Sequence, residues 1–429
     1  MSALPSGSSL DVIRPGDARY EGARHVYGAT GSPAAVVRVR EAREVPDALA
    51  FALDQGRPFS TRSGGHGIGS IATNDGGTVI DLSSLSRVEL LGDRRVRIGP
   101  GARWSQVAHE LAPHGLAISS GDSGDVGVGG LATTGGLGLL GRSHGLTIDH
   151  LVAAEIVTAD GRLLRTSADE EPELFWAIRG AGASVGIVTS FEFEAAATSL
   201  VARATLTFEP RDLADFLVRW GTAVERAPRT ISAFLYLGHP VAQALIVHAT
   251  GEEVAASRAF RPFAELPGIS GGRAEIVPYS AVPFSTGSPH LGQQTARMRN
   301  GFATHLDPEL SSRLAALART GPMLQIRSAG GAIHDLPASA TAYAHRHQNF
   351  SIAAAAHGAM LNTTWAPVHE LLDGLYPSFE SDHSPASLTE AFPEPTLGHL
   401  RELQARWDPR RIFTQNVGVS AGSPAARSR

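Results

Sequence analysis

The chain has 429 residues, with 37 basic and 42 acidic side chains and a formal net charge of −5. A chain of this length is expected to fold as more than one lobe, and the absence of basic runs argues against a nucleic-acid partner. Neither cysteine nor lysine occurs in the sequence, which excludes disulfides, thiolate metal sites, cysteine nucleophiles and lysine Schiff bases.

The sequence predicts a soluble protein with a cytoplasmic location. Its first residues, MSALPSGSS, lack the basic and apolar regions of a secretory signal. No apolar stretch of the sequence is long enough to cross a bilayer. We therefore expect no membrane partner and no export of the chain.

Short strands and helices follow one another through the first half of the chain. The spacing of apolar residues predicts strands over 36–40, 58–62, 78–81, 96–98, 151–158, 163–165 and 186–194, and helices over 44–54, 104–114 and 172–179. The strands 151–158 and 163–165 form a predicted hairpin, because Asp160-Gly161 lies in the turn between them. The intervening stretch 121–145 is very rich in glycine.

The pattern changes near Thr198, where a second domain is expected to begin. Strands are predicted over 201–208, 231–237, 243–248, 323–327 and 342–354, and helices over 213–226 and 254–263. Alternate residues of a strand share a face, so Tyr343, His345 and His347 are predicted to lie together. Two histidines without a third ligand do not indicate a metal site, and none is predicted.

The most informative segment is RSGGHG, from Arg62 to Gly67. Gly64, Gly65 and Gly67 have no Cβ, so the backbone there can adopt left-handed conformations and approach a ligand closely. Successive free N–H groups in such a turn bind phosphate, and a neutral imidazole in the same turn can act as a nucleophile. The segment therefore predicts a phosphate-bearing cofactor that is tethered to His66.

Two other motifs suggest different chemistry. GDSGD, residues 121–125, is similar to the serine loop of trypsin-like proteases, and His66 and Asp81 precede Ser123 in the order of a catalytic triad. His66 is too close to Ser123 in sequence for that fold, and most of the chain follows the serine. The G-x-G-x-x-A pattern at 127–132 matches a dinucleotide fingerprint, but a loop precedes it where that fingerprint requires a strand.

Four groups of segments stand out when the glycine clusters are taken together. They are RSGGHGIGSIATNDGGTVIDLSSL (62–85), VGVGGLATTGGLGLLGRSHGLTIDHL (126–151), VTADG with ELFWAIRGAGASVGIVTSFEF (157–161 and 173–193), and WDPRRIFTQNVGV (407–419). In this order they resemble the flavin segments of the vanillyl-alcohol-oxidase and p-cresol-methylhydroxylase type of oxidases. The resemblance is to the berberine-bridge-enzyme-like branch in particular.

The resemblance implies an α+β fold with two domains. Residues 1–199 are expected to form a two-lobed FAD-binding domain of the p-cresol-methylhydroxylase type, and 200–400 an antiparallel-sheet substrate domain with helices. Residues 401–429 are expected to return to the FAD-binding domain. The implied cofactor is FAD, linked covalently through His66. The residues expected to contact it are Arg62, Ser63, Gly64, Gly65, His66, Gly67, Ser70, Gly121, Ser123, Val126, Gly127, Gly130, Gly138, Gly186, Ile187, Val188 and Asn416.

Two positions in the second flavin segment bear on attachment and on the electron acceptor. Ser123 takes the place of a cysteine that forms a second flavin link in many members of the family, and the chain has no cysteine. The resemblance therefore implies attachment through His66 alone. Val126 is small at the position of the oxygen gate, as in the oxidases of the family, which implies O2 as the electron acceptor.

The resemblance also implies an activity. We expect an FAD-dependent oxidoreductase that transfers a hydride from a small amine, alcohol or secondary metabolite to flavin, with O2 then reduced to H2O2. Phe379 takes the place of the family's catalytic tyrosine, which leaves Tyr343, His345 and Tyr376 as candidates for handling the proton. The alternative is a redox-neutral, pericyclase-like cyclase that uses the same fold.

Overall fold

The computed structural model describes residues 10–287, 290–292, 296–358 and 360–414. Its strands are β1 (Asp11–Ile13), β2 (Ala35–Arg38), β3 (Phe59–Arg62), β4 (Thr78–Asp81), β5 (Val88–Gly92), β6 (Arg95–Ile98), β7 (Leu151–Val157), β8 (Leu163–Ser167), β9 (Ile187–Glu194), β10 (Leu200–Phe208), β11 (Ile231–Gly238), β12 (Val241–His248), β13 (Ile269–Pro278), β14 (Arg297–Ala303), β15 (Met323–Ser328) and β16 (Phe350–Ala356). They form three sheets.

The helices are short in the first half of the chain and longer in the second. They are α1 (Tyr20–Ala23), α2 (Val45–Asp54), α3 (Trp104–Leu111), α4 (Val128–Ala132), α5 (Gly141–His144), α6 (Pro172–Ala181), α7 (Leu213–Arg226), α8 (Glu253–Ala264), α9 (Pro308–Arg319), α10 (Met360–His369), α11 (Pro385–Ala391) and α12 (Thr396–Trp407). In the part of the chain that the structure describes, none has the length and apolar character needed to cross a membrane.

Two of the sheets come from the first half of the chain. One has the order β1-β2-β4-β3, with β2, β4 and β3 parallel and β1 antiparallel to β2. All four residues of β4 are buried, as expected for a strand that is covered on both faces. The other sheet is antiparallel, with the order β5-β6-β9-β7-β8. Because RSGGHG begins at the last residue of β3, the glycine loop leaves the carboxyl edge of the parallel strands.

The third sheet is antiparallel and has the order β13-β10-β12-β11-β15-β16-β14. Helices α7 to α10 pack on one face, where Trp220, Phe263, Leu314 and Trp365 form a core with side chains of the strands. Helix α7 begins after Asp212, because that carboxylate accepts hydrogen bonds from two N–H groups of the first turn.

The other face of this sheet points toward the first domain. Along β15, Leu324 and Ile326 belong to the core beneath the helices. Because side chains alternate along a strand, Gln325 and Arg327 project from the opposite face. On the neighbouring strand β11, Phe234 also packs away from the helices, in a cluster with residues of the loop that precedes α5. One face of the seven-stranded sheet therefore forms the wall between the two parts of the chain.

The C-terminal segment packs against elements of the first half of the chain, and this packing already includes residues before 401. Leu388 and Leu400 already lie in one apolar cluster with Trp104 of α3. Further along, the ring of Phe413 contacts that of Phe59 on β3, with 6.0 Å between centroids. The last described residues therefore lie beside the strand from which the glycine loop begins.

The predicted strand over 342–354 is wrong in its first half, since β16 begins only at Phe350. The main chain before it turns, because the N–H group of Arg346 donates to the carbonyl of Ala344. Tyr343 and His345 are buried, whereas His347 is exposed and pairs with Asp373. The three side chains therefore do not share a strand face, and the alternation predicted for them does not hold.

One buried ion pair fixes the end of the parallel sheet. Arg62 and Asp81 are opposite each other in the register of β3 and β4, and Nη2 of the arginine lies 2.8 Å from Oδ2 of the aspartate. Burial acts to raise the pKa of Asp81, but the charge and hydrogen bond of Arg62 outweigh it and lower that pKa overall. The carboxylate therefore stays ionised in the folded protein.

Replacing Asp81 with alanine should lower the free energy of unfolding by about 3–5 kcal/mol, because Arg62 would remain as an unpaired buried cation. Chemical denaturation measures the change. Glu41→Ala removes the exposed Glu41–Arg43 pair and should change it by less than about 1 kcal/mol. Because the folded-state pKa of Asp81 is depressed, its contribution should be present above about pH 4 and decline as the pH falls further. Equal losses in the two variants would contradict this prediction.

Candidate functional site

A cavity of about 420 Å³ lies between the glycine loops of the first half of the chain and the seven-stranded sheet. Its volume is in the range of small-molecule sites, roughly 300–1,000 Å³. Most of the residues predicted to contact the cofactor line it. They are Ser63, Gly64, Gly65, His66, Gly67, Gly121, Ser123, Val126, Gly127, Gly130, Gly186, Ile187 and Val188. Residues from three separate parts of the sequence thus meet at one site.

Two glycine loops cross in direct contact at this cavity. A Cβ on Gly127 would lie 2.3 Å from the backbone nitrogen of Gly64, and a Cβ on Gly64 would lie 2.5 Å from that of Gly127. No side chain fits at either position, since real Cβ atoms essentially never approach other heavy atoms so closely. Both residues must be glycine for the loops after β3 and before α4 to pack together.

His66 lies in the cavity wall between two other rings. Its imidazole stacks on Tyr27, with 4.2 Å between centroids, and meets His290 edge-on at 5.2 Å. Burial and the nearby His290 lower the pKa of His66 to about 4, so the ring is neutral at physiological pH. Its Nδ1 is buried and has no hydrogen-bond partner among the described residues.

Three predicted cofactor contacts lie outside the cavity wall. Arg62 points to the opposite side of its strand from Ser63 and bonds to Asp81 and the carbonyl of Ala23. Gly138 packs against the main chain of Ser120. Ser70 has a left-handed backbone, with φ of 56°, and is not in the lining.

A fourth predicted contact, Asn416, lies outside the described residues.

Of the three residues predicted to handle a proton, Tyr376 lines the cavity. Its hydroxyl accepts a hydrogen bond from the N–H group of Gly136 at 2.9 Å, and Oγ1 of Thr134 lies 3.5 Å away. Its own backbone N–H group donates to Asn300 at 2.7 Å. These contacts hold the phenol at a defined position in the wall, next to Phe379.

Tyr343 and His345 lie behind this wall. The ring of Tyr343 packs edge-on to that of Tyr376 at 6.0 Å, and burial raises the pKa of its hydroxyl. His345 stacks on Phe302, and its Nε2 lies 3.1 Å from the carbonyl oxygen of Ala391. Neither residue is in the cavity lining, so packing accounts for the placement of both.

The sequence did not reveal a polar cluster that also lines the cavity. Asp122, Gln325 and Arg327 lie in its wall, and the carboxylate of Asp122 accepts hydrogen bonds from Arg327 at 2.8 Å and Gln325 at 2.9 Å. The only sequence signal was that Gln325 and Arg327 are polar residues within the otherwise apolar predicted strand 323–327. Asp122 carries no such signal, since it lies in a loop.

Neither competing motif forms the site that it would require. Asp81 pairs with Arg62 rather than with a histidine, so Ser123, His66 and Asp81 do not form a triad. The five-residue helix α4 follows a loop and not a strand, so the pattern at 127–132 is not a dinucleotide fingerprint. Among the described residues, no three histidine, cysteine or carboxylate side chains cluster as metal ligands.

Residues 33–167 match a family model described as the FAD binding domain. These residues form an FAD-binding domain. The chain is also 37% identical over 195 residues to (R)-6-hydroxynicotine oxidase of Paenarthrobacter nicotinovorans, an alignment covering 45% of this chain and 43% of that protein. It thus aligns with less than half the length of this curated relative. The resemblance predicted from the glycine motifs is confirmed.

Solved structures of flavin oxidases superpose on nearly the whole chain. 6-Hydroxy-D-nicotine oxidase from Arthrobacter nicotinovorans matches with a TM-score of 0.85 and 23% identity, and the match covers 98% of this chain and 100% of that chain. Glucooligosaccharide oxidase from Acremonium strictum, described with a 6-S-cysteinyl, 8α-N1-histidyl FAD, matches with a TM-score of 0.84 and 21% identity, over 96% and 98% of the two chains. The predicted α+β fold of the p-cresol-methylhydroxylase type is confirmed.

The residues of the cavity fit an FAD molecule in two respects. Gly67 and Gly130 line the cavity, and a Cβ on either would project into open space, so main chain without side chains faces the cavity, as close approach to a dinucleotide requires. The unpartnered Nδ1 of His66 is a nucleophilic atom in the same wall. The loops 63–67 and 121–130 and the start of β9 are the segments that would hold the cofactor.

Proposed function

We propose that the chain is an FAD-dependent oxidase that acts on a small organic substrate, with O2 as electron acceptor and H2O2 as product. The observation that supports this most is the neutral His66, with a free Nδ1, in the wall of a cavity lined by the FAD-binding domain. The relatives named above are oxidases by name. That agreement favours oxidation over the redox-neutral, pericyclase-like alternative.

The proposal includes a single covalent link to FAD through His66. Attachment would join an imidazole nitrogen of His66 to the 8α carbon of FAD, and the two displaced hydrogens would pass with two electrons to O2, giving H2O2. The glucooligosaccharide oxidase is described with a cysteinyl link as well as a histidyl one. Here Ser123 lines the cavity and the chain has no cysteine, so His66 remains the one attachment point.

Bound FAD supplies the acceptor for a hydride, and the chain supplies the surroundings of that transfer. Tyr376 offers a hydroxyl, held by Gly136, that can exchange a proton with the substrate. Val126 lines the cavity with a small side chain, which leaves room for O2. Leu131, Leu137 and Met298 supply apolar lining that excludes water from the reacting atoms.

A short series of measurements tests the proposal. The purified protein is precipitated with acid, and the flavin fluorescence of the pellet is compared with that of the supernatant. Amines, alcohols and hydroxylated aromatic compounds are then screened for H2O2 production in air. We expect flavin in the pellet and peroxide with at least one class of compound. A protein without flavin, or with flavin that no compound reduces under anaerobic conditions, would contradict the proposal. A cytoplasmic location stays a prediction, testable by cell fractionation.

The low pKa of His66 predicts how attachment depends on pH. The nucleophile is the neutral ring, and it stays neutral down to a pKa of about 4. When FAD is added to apoprotein, the rate of covalent incorporation should therefore be nearly constant from about pH 8 to about pH 5 and fall below that. An exposed histidine would already lose half its rate near pH 6.5. A midpoint near that value, with the protein folded by circular dichroism, would show that the ring is not desolvated.

A further inference from the structure

The wall of the cavity contains one buried arginine on the side of the seven-stranded sheet. Arg327 lines the cavity from β15 and is 6% exposed. Its guanidinium group lies over the ring of Phe379 at 4.4 Å and over that of Phe234 at 5.1 Å. The two rings contact the flat faces of the guanidinium group, so its N–H groups remain free to bond at the edge of the group.

The aspartate beside this cation is already fully engaged. Oδ1 of Asp122 accepts from Arg327 at 2.8 Å, and Oδ2 accepts from the hydroxyl of Tyr236 at 2.5 Å and from the amide of Gln325 at 2.9 Å. Burial acts to raise the pKa of Asp122, but Arg327 and Tyr236 outweigh it and keep that pKa below its usual value. The carboxylate is therefore ionised and satisfied, and it offers little to a ligand.

The arginine, in contrast, has donors to spare. Its Nε is buried and has no hydrogen-bond partner among the described residues, and its Nη1 reaches the carbonyl oxygen of Leu137 only at 3.5 Å. A guanidinium group has five N–H donors, and a buried donor that is poorly paired is unfavourable. The Nη1 group, which is only weakly bonded to Leu137, is the donor that an acceptor oxygen on a ligand in the cavity would engage.

We propose that Arg327 anchors the substrate by binding an acceptor oxygen of a carboxylate or carbonyl group. Phe379 and Met298 line the same cavity and provide apolar surface for a compact, unsaturated ring. Asp122 holds the guanidinium group in position and is a positioning residue. A cationic group is disfavoured here, because it would face the Arg327 cation, and Asp122 already accepts hydrogen bonds from three donors. The substrate class is thus a small aromatic acid, amide or lactam.

This inference rests on the proposed function, since it places the substrate in the FAD-lined cavity. The test uses holoenzyme of measured flavin content and three probes with the same ring, namely benzoate, benzamide and benzylamine. Binding is followed by the change in flavin absorbance on titration. We expect benzoate or benzamide to bind and benzylamine not to bind. The ratio of the first two affinities shows whether the preferred oxygen is charged.

Three variants connect binding to the arginine. Arg327→Met should raise the Kd of the bound probe by about tenfold or more, and Arg327→Lys should recover part of the loss. Because Arg327→Met leaves Asp122 unpaired, the double variant Asp122→Asn/Arg327→Gln tests the same loss without a lone buried charge. Arg319→Met, at an exposed position at the end of α9, should leave the Kd unchanged.

Equal Kd values in the wild type, in Arg327→Met and in the double variant would overturn the proposal. Binding of benzylamine alone, or of none of the probes, would overturn it as well. Failure of the proposed function has a different signature, because the purified chain would then contain no flavin. In that case calorimetric titration of the same probes still tests Arg327 directly.

Discussion

Replacing His66 with alanine should abolish covalently bound flavin while leaving the chain folded. The imidazole is the nucleophile in the proposed attachment, and alanine has no atom that can replace it. The loops that form the cavity do not depend on the ring, because the crossing of Gly64 and Gly127 involves main chain only. We therefore expect FAD to bind to the variant weakly and reversibly.

Acid precipitation and intact mass measure this result. The wild-type mass should exceed the sequence mass by that of one attached FAD, and the pellet should fluoresce. His66→Ala should have the sequence mass and release its flavin to the supernatant. His109→Ala removes an exposed histidine of α3 and should retain the link. Flavin that stays attached to the His66→Ala chain would show that another residue forms the bond.

Replacing Tyr376 with phenylalanine should lower kcat by about 10²–10⁴-fold, the usual contribution of a positioned acid or base. The hydroxyl lies in the cavity wall and is held by the N–H group of Gly136 at 2.9 Å. Phe379, which occupies the neighbouring part of the wall, has no group that exchanges a proton. Covalent flavin content should be unchanged, because the proposed attachment point is His66.

Anaerobic stopped-flow reduction of the flavin by an active compound from the peroxide screen measures this effect. Tyr343→Phe is the matched control, because Tyr343 packs against Tyr376 but lies behind the wall. It should reduce the rate much less. Equal rates in the two variants would show that Tyr376 only packs against its neighbours.

Local sequence patterns predicted much of the fold. The helix predicted over 213–226 has the same bounds as α7, where Asp212 caps a regular apolar spacing. The hairpin with Asp160-Gly161 in its turn is present as β7 and β8. Strands with few apolar residues were missed, in particular β13, which is exposed over most of its length. β13 is a strand because it pairs with β10, although its own sequence shows no clear strand pattern.

The glycine motifs identified residues that share one cavity, because they act through main chain that lies close to them in sequence. Thirteen of the predicted cofactor contacts line the cavity. Arg62 was misplaced because the motif was considered without its strand, which alternates and points that side chain inward. Tyr343 and His345 were misplaced because a turn at Ala344 to Arg346 interrupts the expected alternation.

The sequence by itself predicted the FAD-binding domain and most of the strands and helices, since each depends on the conformational freedom or spacing of nearby residues. Only the tertiary structure placed Tyr27 against His66 and joined Asp122 to Arg327, which are 205 residues apart in sequence. It also decided which tyrosine reaches the cavity. Such contacts form when sheets from different domains pack together, and no periodicity along the chain encodes them. The physical reason is that side-chain burial and ion pairing depend on neighbours in space, whereas secondary-structure propensity depends on neighbours in sequence.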